Sequence, residues 1–217
     1  MRAAVVIAAR GGLGAKSRCR GRLHGSQREA LVEAMLLDML QALAGCVAIH
    51  RVYVTTPTAA LASLAARNGA VVILEHGPPD LNRAFSDARR RIAAMAPTSV
   101  VALLPGDLPL LDPTELSACI AIAQEGAIVL APATTGGGTG AVVQRADLPL
   151  RLAFGPGSFR KHQLAAASLG LEPRVIEAPS LGFDLDRPED LDAVARLHDG
   201  RTAALLRKFA VAGEAAA

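Results

Sequence analysis

Asp107 has the strongest claim to chemistry in this chain. It lies in the run 103–111, LLPGDLPLL, directly after the apolar segment 99–102, SVVA. A short, β-branched, uniformly apolar run reads as a strand buried on both faces of a parallel sheet. Pro105 and Pro109 lack a backbone donor and Gly106 tolerates unusual dihedrals. The chain must therefore leave the sheet there, at the carboxyl edge where open α/β folds bind ligands. Asp107 is thereby delivered to a ligand crevice. The simpler alternative is an Asp that only caps a turn. Asp112 fills that role for the next helix, with Pro113 at the first helical position and Glu115 three residues on, which leaves Asp107 free as a functional carboxylate.

The segment 10–18, RGGLGAKSR, follows the apolar run 3–9, AAVVIAA. A glycine loop after a strand suits a phosphate: Gly11, Gly12 and Gly14 let backbone N–H groups approach the oxygens, while Arg10, Lys16 and Arg18 supply charge. It is not a Walker loop, because Ala15 separates Gly14 from Lys16. Nor is it a dinucleotide fingerprint, because Ser17 stands where a third glycine would be needed. Asn82, at the entrance of a helix, reads as a ligand contact or as part of the cap, and the cap is the simpler reading.

Two small-residue loops follow. Residues 134–140, TTGGGTG, and 154–159, FGPGSF, are either a pair of hairpin turns or one floor. The second precedes a helix containing Lys161 and His162, so its donors stand at a positive helix end that suits a second anion. Within 183–191, FDLDRPEDL, Asp186 and Glu189 match a capping box with Pro188 in the first turn, and Asp184 has no such explanation. In an extended segment Asp184 and Asp186 point to the same side, so both could face a metal. The five histidines have no metal-ligand spacing and read as satisfied or solvated.

The elements that position these groups alternate. Strands are expected at 3–9, 52–54, 71–74, 99–104, 127–130 and 141–143. Helices are expected at 26–43, opened by a Ser26/Glu29 capping box, and at 57–68, 81–94 and 113–124. At 217 residues the chain suffices for one α/β domain with a full core, here residues 1–209, followed by a tail 210–217 that looks frayed. Hydrophobic residues at 51% and charged residues at 20% exclude disordered and fibrous classes. No apolar run approaches the ~18 residues of a membrane span, and the cytosol is the expected compartment. Cys19, Cys46 and Cys119 are scattered, without a CxxC, and read as reduced thiols. The net charge of +3 suits a small anionic partner, but few aromatics argue against a nucleic-acid groove.

Glycine loop, Lys16, Asp107 and Asp184 form a coherent inventory for nucleotidyl transfer. Magnesium bridges carboxylates and phosphate oxygens, and Lys16, Arg10 and Arg18 offset the remaining charge. A phosphate monoester acceptor, with a second pKa of about 6, needs no catalytic base.

These residues look familiar. LLPGDLPLL, AKSR, FGPGSF followed by His162, and FDLDRPEDL resemble the guanylyltransferases that activate 2-phospho-L-lactate or phosphoenolpyruvate for coenzyme F-420. The likeness runs from about Val5 to Leu191. It implies a single-domain, three-layer αβα nucleotidyltransferase fold, MobA-like, with a Rossmann-like, mostly parallel sheet. GTP, a phosphorylated three-carbon acid and magnesium are the implied reactants, with pyrophosphate released. The resemblance assigns metal binding to Asp107 and Asp184, with Asp186 a further candidate, triphosphate contact to Lys16, and acid contact to Gly155 and Ser158. An ungapped count back from Gly155 puts the acid-binding Thr of the family on Gly140, with Thr139 one place early. That register predicts a roomier acid pocket that takes 3-phospho-D-glycerate at least as well as the other two acids, and a Gly140→Thr variant shifted toward the smaller ones. A cytidylyl- or molybdopterin-type transferase and a non-catalytic nucleotide-binding module stay open as alternatives. Oligomeric state, a homodimer included, stays open too.

Overall fold

The computed structural model describes residues 3–12, 14–97 and 99–214. The alternation expected from the sequence is present: β1 (Ala3–Ala8), α1 (Gly25–Leu43), β2 (Ile49–Thr56), α2 (Ala59–Arg67), β3 (Val71–Leu74), α3 (Leu81–Met95) and β4 (Val100–Pro105), then α4 (Pro113–Gln124), β5 (Val129–Pro132), β6 (Thr139–Arg145) and α5 (Ser158–Ala167). The chain ends with β7 (Arg174–Val175), a short turn of helix α6 (Pro179–Gly182), α7 (Pro188–Leu197) and α8 (Arg201–Glu214). Helix α8 carries regular structure past residue 210, where fraying was expected to begin, and residues 215–217 lie outside the described residues. Asp38, a buried carboxylate on α1, accepts hydrogen bonds from the Arg201 and Thr202 N–H groups and so caps α8.

The seven strands order as β3-β2-β1-β4-β6-β5-β7, with β6 antiparallel to both neighbours and the other pairings parallel. Alternate residues of each buried strand feed two cores. Ala3, Val5 and Ile7 pack with α1, α2, α4, α7 and α8 on one face, and Ala4, Val6 and Ala8 pack with α3 and α5 on the other. Three layers result. The sequence moves outward from β1 to β2 and β3, then returns to β4 on the other side of β1, which makes the β1/β4 boundary a topological switch point. Ala8 is in register with Pro105 there, so the loops after both strands open into one crevice. Gly106 makes that approach possible: a Cβ on it would lie 2.6 Å from the Ala8 carbonyl oxygen.

Two helix starts differ from expectation. Helix α1 begins one residue before Ser26, and its cap is the Gln27 side chain accepting from the His24 N–H at 2.8 Å. At α7 the N-cap is Arg187, and Asp190 accepts from the Arg187 N–H at 2.6 Å and the Asp186 N–H at 2.9 Å. The carboxylate of Asp186 is thus not the cap. The expected Asp112 cap is present, accepting from the Thr114 N–H at 2.7 Å, but Glu115 turns instead to Ser180, whose hydroxyl holds the Asp112 N–H.

Among the described residues, no helix is long and apolar enough to cross a membrane.

Candidate active site

The apolar anchor Leu108 is fully buried, and the Leu185 N–H donates to the Asp107 carbonyl at 3.0 Å, which ties the 183–186 segment to the end of β4. Leu185 is buried between half-exposed Asp184 and Asp186, so the two carboxylates share the outward side, as the extended reading required. Burial, and next the charge of Asp107, push the Asp184 carboxyl above its ordinary value. Asp107 Oδ1 is buried with no hydrogen-bond partner among the described residues. An uncompensated buried carboxylate oxygen beside a second carboxyl group is a place for a cation.

Lys16 reaches this cluster from the glycine loop. Its Nζ lies 2.8 Å from Asp107 Oδ2 and 4.0 Å from Asp186 Oδ1, and its side chain is 8% exposed. It is the one non-glycine residue with positive φ, 48°, among the described residues. Arg18 pairs with Asp186, and Arg10 donates to Glu75 at 3.0 Å. The loop is followed by a 3-10 turn (Ser17–Cys19), not directly by a long helix, and Arg28 holds it by donating to the carbonyls of Ala15 and Leu23 at 3.0 and 2.9 Å. Arg28 and Glu75 were not singled out from sequence. The signal for Arg28 was a charge on the apolar stripe of α1, beside Leu31, Val32 and Met35.

Two hollows meet at the carboxylates. One, of about 180 Å³, is lined by Arg10, Lys16 and Gly106; the other, of about 380 Å³, by Arg18, Thr139, Gly155, Ser158 and Asp184. Asp107 and Asp186 line both. A larger hollow of about 600 Å³ lies at the other end of β2 and β3, around His50 and Arg51, and none of the expected site residues lines it.

The two small-residue loops do form one floor. The first is also a hairpin turn, joining antiparallel β5 and β6, and the Phe159 N–H donates to the Gly137 carbonyl at 3.1 Å. Gly157 caps α5, and Ser158 is its first residue. Thr139 and Ser158 are buried at the wall of the 380 Å³ hollow, with hydroxyls 3.0 Å apart. Gly140 corrects the register argument. A Cβ on it would point at the Leu181 carbonyl oxygen, 1.7 Å away, so the backbone of Gly140 lines the hollow but a side chain there would enter α6 and not the pocket. Strand parity gives the pocket to Thr139. Asn82 also differs from expectation: Asp80 caps α3, and the Asn82 amide is spent on Phe154, donating to its carbonyl at 3.1 Å and accepting from its N–H at 2.6 Å. It holds the floor loop rather than offering a free nucleotide contact.

A glycine loop facing carboxylates across the switch point of a three-layer α/β sheet is an architecture shared with nucleotidyltransferase-like folds. The solved structure of a protein described as a nucleotide-diphospho-sugar transferase from Desulfovibrio desulfuricans G20 shares this fold, with a TM-score of 0.78 at 17% identity over 96% of this chain and 95% of that one. The chain belongs to the guanylyl transferase CofC-like family, whose model matches residues 3–215. It is 47% identical over 204 residues to a 3-phospho-D-glycerate guanylyltransferase of Phenylobacterium zucineum, covering 93% of this chain and 94% of the relative. It is 38% identical over 179 residues to a phosphoenolpyruvate guanylyltransferase of Rubrobacter xylanophilus, covering 82% and 86%. The protein is an enzyme of the nucleotidyltransferase class.

Proposed function

We propose that the enzyme transfers GMP from GTP to the phosphate of 3-phospho-D-glycerate and releases pyrophosphate. The observation that carries this reading is the ridge of Asp107 and Asp186 between a hollow lined by the phosphate loop and one lined by Thr139, Gly155 and Ser158. Two anions on either side of one acidic ridge is the arrangement a phosphate attacking a triphosphate needs. The choice of acid rests on the 47% identical relative. Gly140 adds nothing to that choice: its backbone lines the hollow, but a side chain there would run into the Leu181 carbonyl.

Magnesium belongs to the same reading. Magnesium takes one or two carboxylates and completes its shell with phosphate oxygens and water. The orphaned oxygen of Asp107 and the destabilised charge of Asp184 fit that demand, and these two residues are the ligands we assign. Bound there, the ion would supply charge neutralisation between carboxylates and triphosphate. Lys16 and Arg18, which pair with the aspartates, would be the cations available to phosphate oxygens, and Ser158 would act on the acid through the Thr139 hydroxyl to which it donates. The family resemblance supports a place for the enzyme in coenzyme F-420 formation, and three cysteines without a disulfide pattern are in keeping with the cytosol.

The test is pyrophosphate release with GTP and magnesium, adding each phospho-acid alone, with CTP in parallel. Release that requires both GTP and 3-phospho-D-glycerate is expected; equal release with CTP contradicts the reading.

A further inference from the structure

His162 is fully buried beneath the acid-side hollow and makes no contact with solvent. Its ring stands edge-on to Phe154 at 4.9 Å, Phe154 packs on Phe85 at 4.8 Å, and the Phe154 backbone is held at both ends by the Asn82 amide. The imidazole therefore has one orientation, and its two nitrogens have fixed partners. The Ala153 N–H meets Nε2 at 2.9 Å, and Thr139 Oγ1 meets Nδ1 at 2.9 Å.

A backbone N–H can only donate, so Nε2 must be the bare, accepting nitrogen. Burial keeps the ring neutral, so its single proton is on Nδ1 and is donated to Thr139 Oγ1. Ser158 donates its own hydroxyl proton to the same oxygen at 3.0 Å. A hydroxyl has two lone pairs and one proton; here both lone pairs are filled from within the protein. The Thr139 proton is left over, and Thr139 lines the hollow.

We infer that His162 is a positioning residue that makes Thr139 an obligate hydrogen-bond donor to an anionic oxygen of the acceptor acid. The inference rests on the acid-binding reading above and adds the residue that sets the polarity of its pocket. With the opposite ring tautomer, Thr139 would give its proton to Nδ1 and show the substrate a lone pair, which repels an anion. The Ala153 N–H forbids that arrangement. A chain of fixed partners, 153 to 162 to 139, thus converts an ambivalent hydroxyl into a fixed donor. A site of this kind discriminates against analogues that leave the donor unpaired.

Two measurements test it. In wild-type protein, a nitrogen-detected histidine correlation spectrum should show His162 with Nδ1 protonated and Nε2 bare; an Nε2-protonated ring overturns the inference whatever the variants do. In kinetics, His162→Phe keeps the ring packing but has no nitrogen, and should raise KM for the acid by about tenfold or more while leaving KM for GTP within about twofold. His162→Asn, whose amide N–H can stand near the Nδ1 position, should recover most of that loss. In a Thr139→Val background, His162→Phe should add nothing, because no hydroxyl remains to be oriented. An unchanged acid KM, a parallel rise in the KM for GTP, or full additivity with Thr139→Val overturns it. If His162→Phe does not fold, the tautomer in wild type decides. Absence of product from wild type with every acid is a different result: it removes the acid-binding reading and the proposed ligand of Thr139 with it.

Discussion

Lys16 Nζ sits 2.8 Å from Asp107 Oδ2, across 91 positions of sequence. An ammonium ion thus holds one oxygen of the carboxylate whose other oxygen is left for the proposed metal, and the backbone that puts it there is in the left-handed region, which costs a residue with a Cβ about 1 kcal/mol or more. The pair is a counter-ion arrangement that a magnesium–triphosphate complex can replace with its own opposite charges.

Asp107→Asn should keep the fold and lower turnover by roughly a hundredfold or more, since metal charge stabilisation is worth several kcal/mol. The check is turnover at matched magnesium beside a melting curve. Near-normal activity in a folded variant removes Asp107 from the metal site.

Lys16→Ala should weaken GTP binding or slow transfer, and it should also tighten Mn2+ binding to the nucleotide-free protein, because the competing cation on Asp107 is gone. Lys208→Ala, at an exposed position of α8, should do neither. Calorimetric titrations of both variants decide; equal behaviour makes the loop structural.

Gly140→Thr should lower stability by about 3 kcal/mol or more, because overpacking against a backbone carbonyl has no rotamer escape. The readout is the denaturation midpoint. A stable variant with an altered choice of acid would restore position 140 to the pocket. What the sequence showed here was the loop and not its parity. The glycine run before β6 is legible, but counting back from Gly155 passes through a hairpin and a strand and cannot tell which of Thr139 and Gly140 faces the cleft. The packing of α6 on β6 decides it, and that contact joins residues about forty positions apart. The strands, the switch-point exit at Pro105 and Gly106, and the shared side of Asp184 and Asp186 were legible because they depend on local period and local donors. The α7 cap was misread because two overlapping acidic patterns fit the same segment, and only backbone geometry selects Asp190 over Glu189. Arg28, Glu75 and the role of His162 depend on partners distant in sequence, which no local pattern announces.

Acidification should cost stability through His162. Burial pushes its imidazole from 6.5 down to about 4, and Lys161 pushes the same way. Between those values the unfolded chain binds a proton that the folded chain refuses, so stability is unaffected by this group above pH 6.5 and falls as pH drops toward 4, by about 3 kcal/mol in all. Denaturant midpoints from pH 7 to 4.5 should fall more steeply in wild type than in His162→Asn; equal slopes contradict a buried neutral imidazole.

The central claim is the transfer of GMP to a phosphorylated three-carbon acid, with 3-phospho-D-glycerate preferred. Its most direct test is mass spectrometry of the product pool formed from limiting GTP, magnesium and equal concentrations of 3-phospho-D-glycerate, phosphoenolpyruvate and 2-phospho-L-lactate. A pool dominated by the guanylylated 3-phosphoglycerate is the predicted result, and a pool dominated by either of the other two adducts, or holding no guanylylated acid, contradicts it.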